Sequence, residues 1–283
     1  MASNDVINQQ LKDLTQEFCP NLHDILQDDQ KFWAQLTNKF EAKLNNATPL
    51  IEAYGKIKTE NSIPILMGRA KLGESICISF LKYVDTEVKF LFDSLLPELK
   101  QKGKNLFKRL FLEFDLVEMQ DINPTYLNGI SEILTANTLI RSGDYQITDI
   151  ESPLSNGKTA DFELVNETGK KSYVEVYNKH LKAKIPSLEQ LTIIVDQAII
   201  AKLDSKTNGL SAEEKADLFL TITLWPETEV QEYVETYSES FSLQKLNVLA
   251  PTILTQYDSN GVKSFGFGFV KNLELDGSND KQP

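Results

Sequence analysis

Two short alternating segments joined by a tight turn constrain this chain more than any other feature. Thr159 to Val165 and Ser172 to Tyr177 read as strands, because apolar and polar side chains alternate along each with period two. Between them lies Asn166-Glu167-Thr168-Gly169-Lys170. A three-residue hairpin loop needs its last residue in the left-handed conformation, which glycine adopts without a Cβ penalty. The loop is therefore Glu167-Thr168-Gly169, Asn166 pairs with Lys170, and counting back from the turn sets Asp161 opposite Glu175. Alternation supports the same register. Ala160, Phe162 and Leu164 share a side with Val174 and Val176, giving one wholly apolar side to pack against a helix, while Asp161, Glu163, Tyr173, Glu175 and Tyr177 share the other.

Directly opposed carboxylates have β-carbons about 4.5–5.5 Å apart and repel one another. Full solvation relieves that repulsion, and so does protonation of one carboxyl or pairing with Lys158, Lys171 or Lys179. A divalent cation is a further route, since Mg²⁺ takes oxygen ligands at about 2.0–2.1 Å, often one or two carboxylates with water and phosphate oxygens.

The rest of the chain places the hairpin in context. Residues 1 to about 120 read as helical, with Leu26, Phe32, Trp33, Leu36 and Phe40 at three- and four-residue spacing, and Ile76, Phe80, Val84 and Phe90 further on. Asn61 to Pro64 and Leu96-Pro97 punctuate that run, and Gly103 marks a weak point in it. After Asp121 to Pro124 the pattern changes. Ile130 to Arg141 is a helix closed by Ser142-Gly143, Tyr145 to Ile150 precedes the hairpin as another strand, and Leu188 to Leu203 is a second helix. Leu218 to Trp225 is a strand and Lys245 to Val270 further strand material, in which Gly266 and Gly268 alternate with Phe265, Phe267 and Phe269. This order indicates an α/β domain over 123–275, preceded by a helical region over 1–122 and followed by a disordered tail, 276–283. Glu227 to Glu239 reads as a solvated amphipathic helix.

Charge and composition narrow the function classes. The formal net charge is −12, most of it after residue 122, so any contact with a phosphate backbone must be local. The stretch Lys100 to Arg109 concentrates five cations, Lys100, Lys102, Lys104, Lys108 and Arg109; it reads as a solvated helix face or as a phosphate-contacting surface. Cys19 and Cys77 read as buried thiols of a reducing cytosol, and two histidines without a CxxC disfavour zinc. No apolar run approaches the roughly 20 residues that span a bilayer, and the expected location is cytoplasmic. Gly68 to Gly73 lacks the Gly-Lys-Ser/Thr ending of a phosphate loop, and Ser131 and Ser142 have no histidine at motif spacing.

Four pieces in order carry a resemblance. These are the helix Gly129 to Gly143 with Glu132 near its start, Thr159-Ala160-Asp161-Phe162-Glu163-Leu164, Tyr173-Val174-Glu175-Val176-Tyr177, and the helix bearing Gln190, Gln197 and Ala198. Together they resemble the core of the PD-(D/E)XK, or restriction-endonuclease-like, nucleases. The resemblance implies a mixed central sheet flanked by helices, with an all-helical region before it. It implies Mg²⁺ or Mn²⁺ held by Asp161, Glu175 and the backbone carbonyl of Val176, with Glu132 binding or orienting a second ion or water. It also implies hydrolysis of DNA or RNA. The family's strand usually reads acidic, apolar, Lys; here Tyr177 stands in the lysine position, and a phenol is neutral near pH 7. Lys179, about 6.6 Å further along the same strand face, and Lys158, just before Asp161, are the expected substitutes. The alternative is a catalytically inactive nuclease fold that binds nucleic acid or protein. The N-terminal helices offer a surface for a homodimer.

Overall fold

The computed structural model describes residues 4–54, 62–113, 125–181, 187–226, 248–249, 252–259 and 262–269. The chain divides into two compact units, Met1–Ile133 with Gln256–Phe265, and Leu134–Thr255 with Gly266–Pro283. The division falls inside a helix, Tyr126–Arg141, whereas the expected break at 122 lies outside the described residues, as do the acidic segment 227–239 and the tail 276–283.

The N-terminal part of the first unit is helical: α1 (Asn4–Phe18), α2 (Pro20–Leu26), α3 (Gln30–Tyr54), α4 (Ile63–Lys71), α5 (Ser75–Ser94), a 3₁₀ turn at Pro97–Leu99, and α6 (Lys100–Leu112). Its core forms where the expected stripe falls, with Leu26, Phe32, Trp33 and Leu36 buried, Phe32 edge-on to Phe111, and Trp33 Nε1 donating to the Leu26 carbonyl. On α5 the buried stripe is Cys77, Phe80, Leu81, Val84, Val88 and Leu91, so Ile76 and Phe90 sit at its margin rather than in it. Gly103 is not a weak point. It is buried in α6, where a Cβ would lie 2.5 Å from Leu95 Cδ1, so the missing side chain is what admits Leu95. Both cysteines are buried and free.

A helix, α7 (Tyr126–Arg141), leads into the second unit, with Ser142 and Gly143 closing it as expected; Gly143 adopts φ +83°. Three strands follow, β1 (Tyr145–Pro153), β2 (Thr159–Asn166) and β3 (Lys171–Leu181), then α8 (Leu188–Thr207), a short α9 (Ala212–Asp217) and β4 (Leu218–Pro226). β1, β2 and β3 are antiparallel neighbours and β4 joins β3 in parallel, which makes a four-stranded mixed sheet. β5 (Thr252–Ser259) continues it in parallel through Thr223↔Thr252 and Leu224↔Ile253, and β6 (Val262–Phe269) follows in sequence.

The parallel step from β3 to β4 requires a crossover, and α8 supplies it. Leu191, Val195 and Ile199 of α8 pack on Leu181 of β3 and on Leu220, Ile222 and Leu224 of β4. Those strand residues share the side that bears Glu175 and Tyr177, since Glu175 pairs with Leu220 and Tyr177 with Ile222. Thus the side that alternation marks as polar is covered by a helix, while Ala160, Phe162, Leu164, Val174 and Val176 form a second buried side. Among the described residues no helix is long and apolar enough to cross a membrane.

Candidate functional site

The hairpin closes as turn chemistry predicts. Gly169 adopts φ +82°, its N–H donates to the Asn166 carbonyl, and Asn166 N–H donates to the Lys170 carbonyl. The Asn166 side chain completes the turn by accepting from Thr168 N–H and Oγ1 and from Lys170 N–H. The ladder then runs through Val165↔Lys171, Leu164↔Ser172, Glu163↔Tyr173 and Phe162↔Val174, the register that faces Asp161 toward Glu175.

The ladder stops one residue before that pair. Continued pairing would join Val176 N–H to the Ala160 carbonyl; instead Val176 N–H donates to Asp161 Oδ2 at 2.7 Å. Asp161 therefore acts as a wedge between the strands. A strand residue's N–H and C=O point to the same lateral side, so the Val176 carbonyl also faces the gap that Asp161 opens.

Across that gap Glu175 is buried, at 3 % exposure. A carboxylate so far from water needs partners, and two lysines of α8 provide them. Lys202 Nζ is 2.8 Å from Oε1, and Lys206 Nζ is 2.7 Å from Oε2. The second is a charge contact whose direction is poor for a hydrogen bond. Lys202 also lies over the Tyr177 ring, 5.5 Å from its centroid, a cation–π arrangement. Burial pulls the Lys202 ammonium down, but the hydrogen bond and charge of Glu175, with Asp161 and Tyr177 adding to them, hold it above the ordinary lysine value. It stays charged at neutral pH.

Neither expected substitute lysine fills this place. Lys158 Nζ donates to the Ser205 carbonyl, and Asn156 Nδ2 in the same loop donates to the carbonyls of Lys206 and Asn208, at 2.9 Å each. This loop caps the C-terminus of α8, where free carbonyls favour a cation. Lys179 sits beside Leu224 on the apolar side covered by α8, and no ion pair ties it to Asp161 or Glu175 among the described residues. Lys171 pairs with Glu163 at 3.0 Å. His180 lies on the opposite side, stacked with Trp225; burial, then the charge of Lys179, lowers it to about 4, so it is neutral at pH 7.

Glu132 belongs to the first unit, where it is buried and its carboxylate is held by Arg109. Arg109 is one of the five expected phosphate-contacting cations, and its neighbours on α6 are also engaged. Lys108 pairs with Asp29, and Lys100 lies 4.3 Å from the Phe92 ring centroid. Lys104 adds its charge to Lys108 in lowering Asp29, and Lys102 is exposed. The stretch is thus largely an intramolecular pairing face rather than an unpaired basic surface.

Sequence reading missed Lys202 and Lys206, although a signal for them exists. A crossover helix runs antiparallel to the strands it joins, so its last turns return beside their first residues. Lysines four apart near the end of α8 then share one helix face above Glu175 near the start of β3.

The donor set is all oxygen: the Asp161 and Glu175 carboxylates and the Val176 carbonyl. That suits Mg²⁺ or Mn²⁺, which complete their shells with water, better than zinc, which favours nitrogen and sulfur. Among the described residues no group of three or more His, Cys, Asp or Glu side chains is gathered to hold a metal. No known protein family, curated protein or solved structure matches this chain.

Proposed function

We propose that the chain is a metal-dependent phosphodiesterase of the PD-(D/E)XK type acting on DNA or RNA, with α7, β1 to β4 and α8 as its restriction-endonuclease-like core. What carries the reading is Lys202: an ammonium from α8, bonded to Glu175 and seated over Tyr177, brings positive charge to the strand position that Tyr177 leaves neutral. Asp161, Glu175 and the Val176 carbonyl are the groups that would hold Mg²⁺ or Mn²⁺. Held there, such an ion acidifies water and polarises a phosphoryl oxygen.

The remaining work falls to the chain's own side chains. Lys202 is protonated at neutral pH, so it donates hydrogen bonds to a water or phosphate oxygen and offsets negative charge there; it is not the base. Tyr177 holds that ammonium in place through its ring. Asp161 supplies the acceptor for Val176 N–H where the ladder has parted. The packing of α8 limits water around Glu175, and charge interactions are stronger in such surroundings.

Purified protein incubated with single- and double-stranded DNA and RNA, in Mg²⁺ or Mn²⁺, tests the proposal. The expected result is metal-dependent cleavage, lost in Asp161→Asn and Lys202→Met and retained in Lys158→Ala. Absence of cleavage on all four substrates, or cleavage untouched by Asp161→Asn, would overturn it and leave the lysine–glutamate cluster a structural element.

A further inference from the structure

We propose that Lys206 is a positioning residue that occupies one oxygen of Glu175 in the metal-free protein and yields it when a divalent ion enters; this rests on the phosphodiesterase reading. Two observations carry it. Glu175 is almost fully buried with both carboxylate oxygens met by ammonium groups, so an ion that coordinates it competes with a lysine at contact distance. The two lysines are unequally held. Lys202 has a second partner in the Tyr177 ring, whereas the Lys206 contact with Oε2 is off the hydrogen-bonding direction.

Charge favours the same exchange. Two ammonium groups, Lys202 and Lys206, already meet the Glu175 carboxylate, and entry of a divalent ion adds two positive charges beside them. Withdrawal of Lys206 takes one of the ammonium charges away. Lys206 thus holds the Glu175 carboxylate in place when no metal is present.

The base of Lys206 is fixed for that role. Its carbonyl accepts from Asn156 Nδ2, and the carbonyl of its neighbour Ser205 accepts from Lys158 Nζ, so the last turn of α8 is tied to the β1–β2 loop and exchange needs only rotation about the long side chain. A structural ion pair would be indifferent to metal. An exchangeable one competes with it.

Mn²⁺ binding, followed by calorimetry and by the metal-induced rise in thermal midpoint, distinguishes the two. Lys206→Met is expected to lower the half-saturating Mn²⁺ concentration by roughly tenfold, because a competing charge at contact distance is gone. Lys206→Arg keeps the charge and is expected to bind Mn²⁺ as wild type does, which separates the effect from any loss of packing. Equal Mn²⁺ affinity in wild type and Lys206→Met, or a Lys206→Arg that behaves as Lys206→Met, would overturn the exchange while leaving the metal site standing. If neither wild type nor Lys206→Met binds Mn²⁺, the exchange and the phosphodiesterase reading fall together. Binding by Lys206→Met alone would mean that Lys206 excludes the ion rather than yields to it, and would overturn the exchange.

Discussion

Replacing Asp161 by alanine and by asparagine separates its work in the sheet from its charge. Val176 is 7 % exposed, and its N–H has Asp161 Oδ2 as acceptor at 2.7 Å where the ladder with β2 has already parted. Alanine removes that acceptor and leaves a buried amide unsatisfied, a loss of about 1–3 kcal/mol. Asparagine keeps a carbonyl oxygen of the same reach, so it forfeits only the charge assistance and its support of Lys202, roughly 1 kcal/mol. Alanine forfeits that charge support as well, so the two variants should differ by the unsatisfied amide alone, about 1–3 kcal/mol, or roughly 2–12 °C in thermal midpoint for a unit of this size. Urea titration gives the free energies, and hydrogen exchange at the Val176 amide gives the local event: protection should fall in Asp161→Ala and persist in Asp161→Asn. Both variants should lose Mn²⁺ binding alike. An Asp161→Ala protein as stable as Asp161→Asn, with the Val176 amide still protected, would mean that the strands rezip onto the Ala160 carbonyl. Asp161 would then not be what satisfies that amide, and the wedge would be refuted.

Three further outcomes follow from the fold. Gly169→Ala should cost roughly 1–2 kcal/mol in urea unfolding, all of it from the left-handed backbone, since an added Cβ meets nothing within 4 Å; an unchanged midpoint would refute the turn assignment. Lys158→Ala should cost only about 0.3–1 kcal/mol and leave Mn²⁺ binding unaltered, because Lys158 caps α8; a large loss of metal affinity would return it to the site. Burial holds Asp85 above its ordinary value of 3.8, against the opposing hydrogen bonds from Leu22 and Asn21. The folded form therefore binds that proton more tightly than the unfolded chain, and stability from this group is greatest in acid and declines as pH rises from 3.8 through the raised folded value. Asp85→Asn should remove that decline, so wild-type stability relative to the variant falls across the window and is level above it. Parallel stability curves from pH 3 to 7 would refute the assignment.

How far the site was legible from sequence depended on whether its determinants were local. The turn at Gly169 is a matter of five consecutive residues, and its register carried as far as Phe162↔Val174. The parting of the strands at Asp161 could not be read, because it depends on a side chain displacing a backbone acceptor on the neighbouring strand. The identity of the partner cation failed for a different reason. Lys158 and Lys179 are near Asp161 and Tyr177 along the chain, whereas Lys202 and Lys206 arrive through the return of α8.

Alternation along β3 leaves open whether the side bearing Glu175 and Tyr177 is solvated. The same side becomes apolar a few residues later at Leu181, and all of it lies beside Leu220, Ile222 and Leu224 once β4 joins in parallel. A parallel partner implies a crossover helix, and that helix must cover the side on which both strands present apolar residues. Read in that order, β4 decides which side of β3 is buried. Glu175 is then a carboxylate under a helix before any lysine is considered, solvation is removed from the ways of relieving its repulsion with Asp161, and a cation becomes the requirement. The chain meets it with the ammonium groups of Lys202 and Lys206.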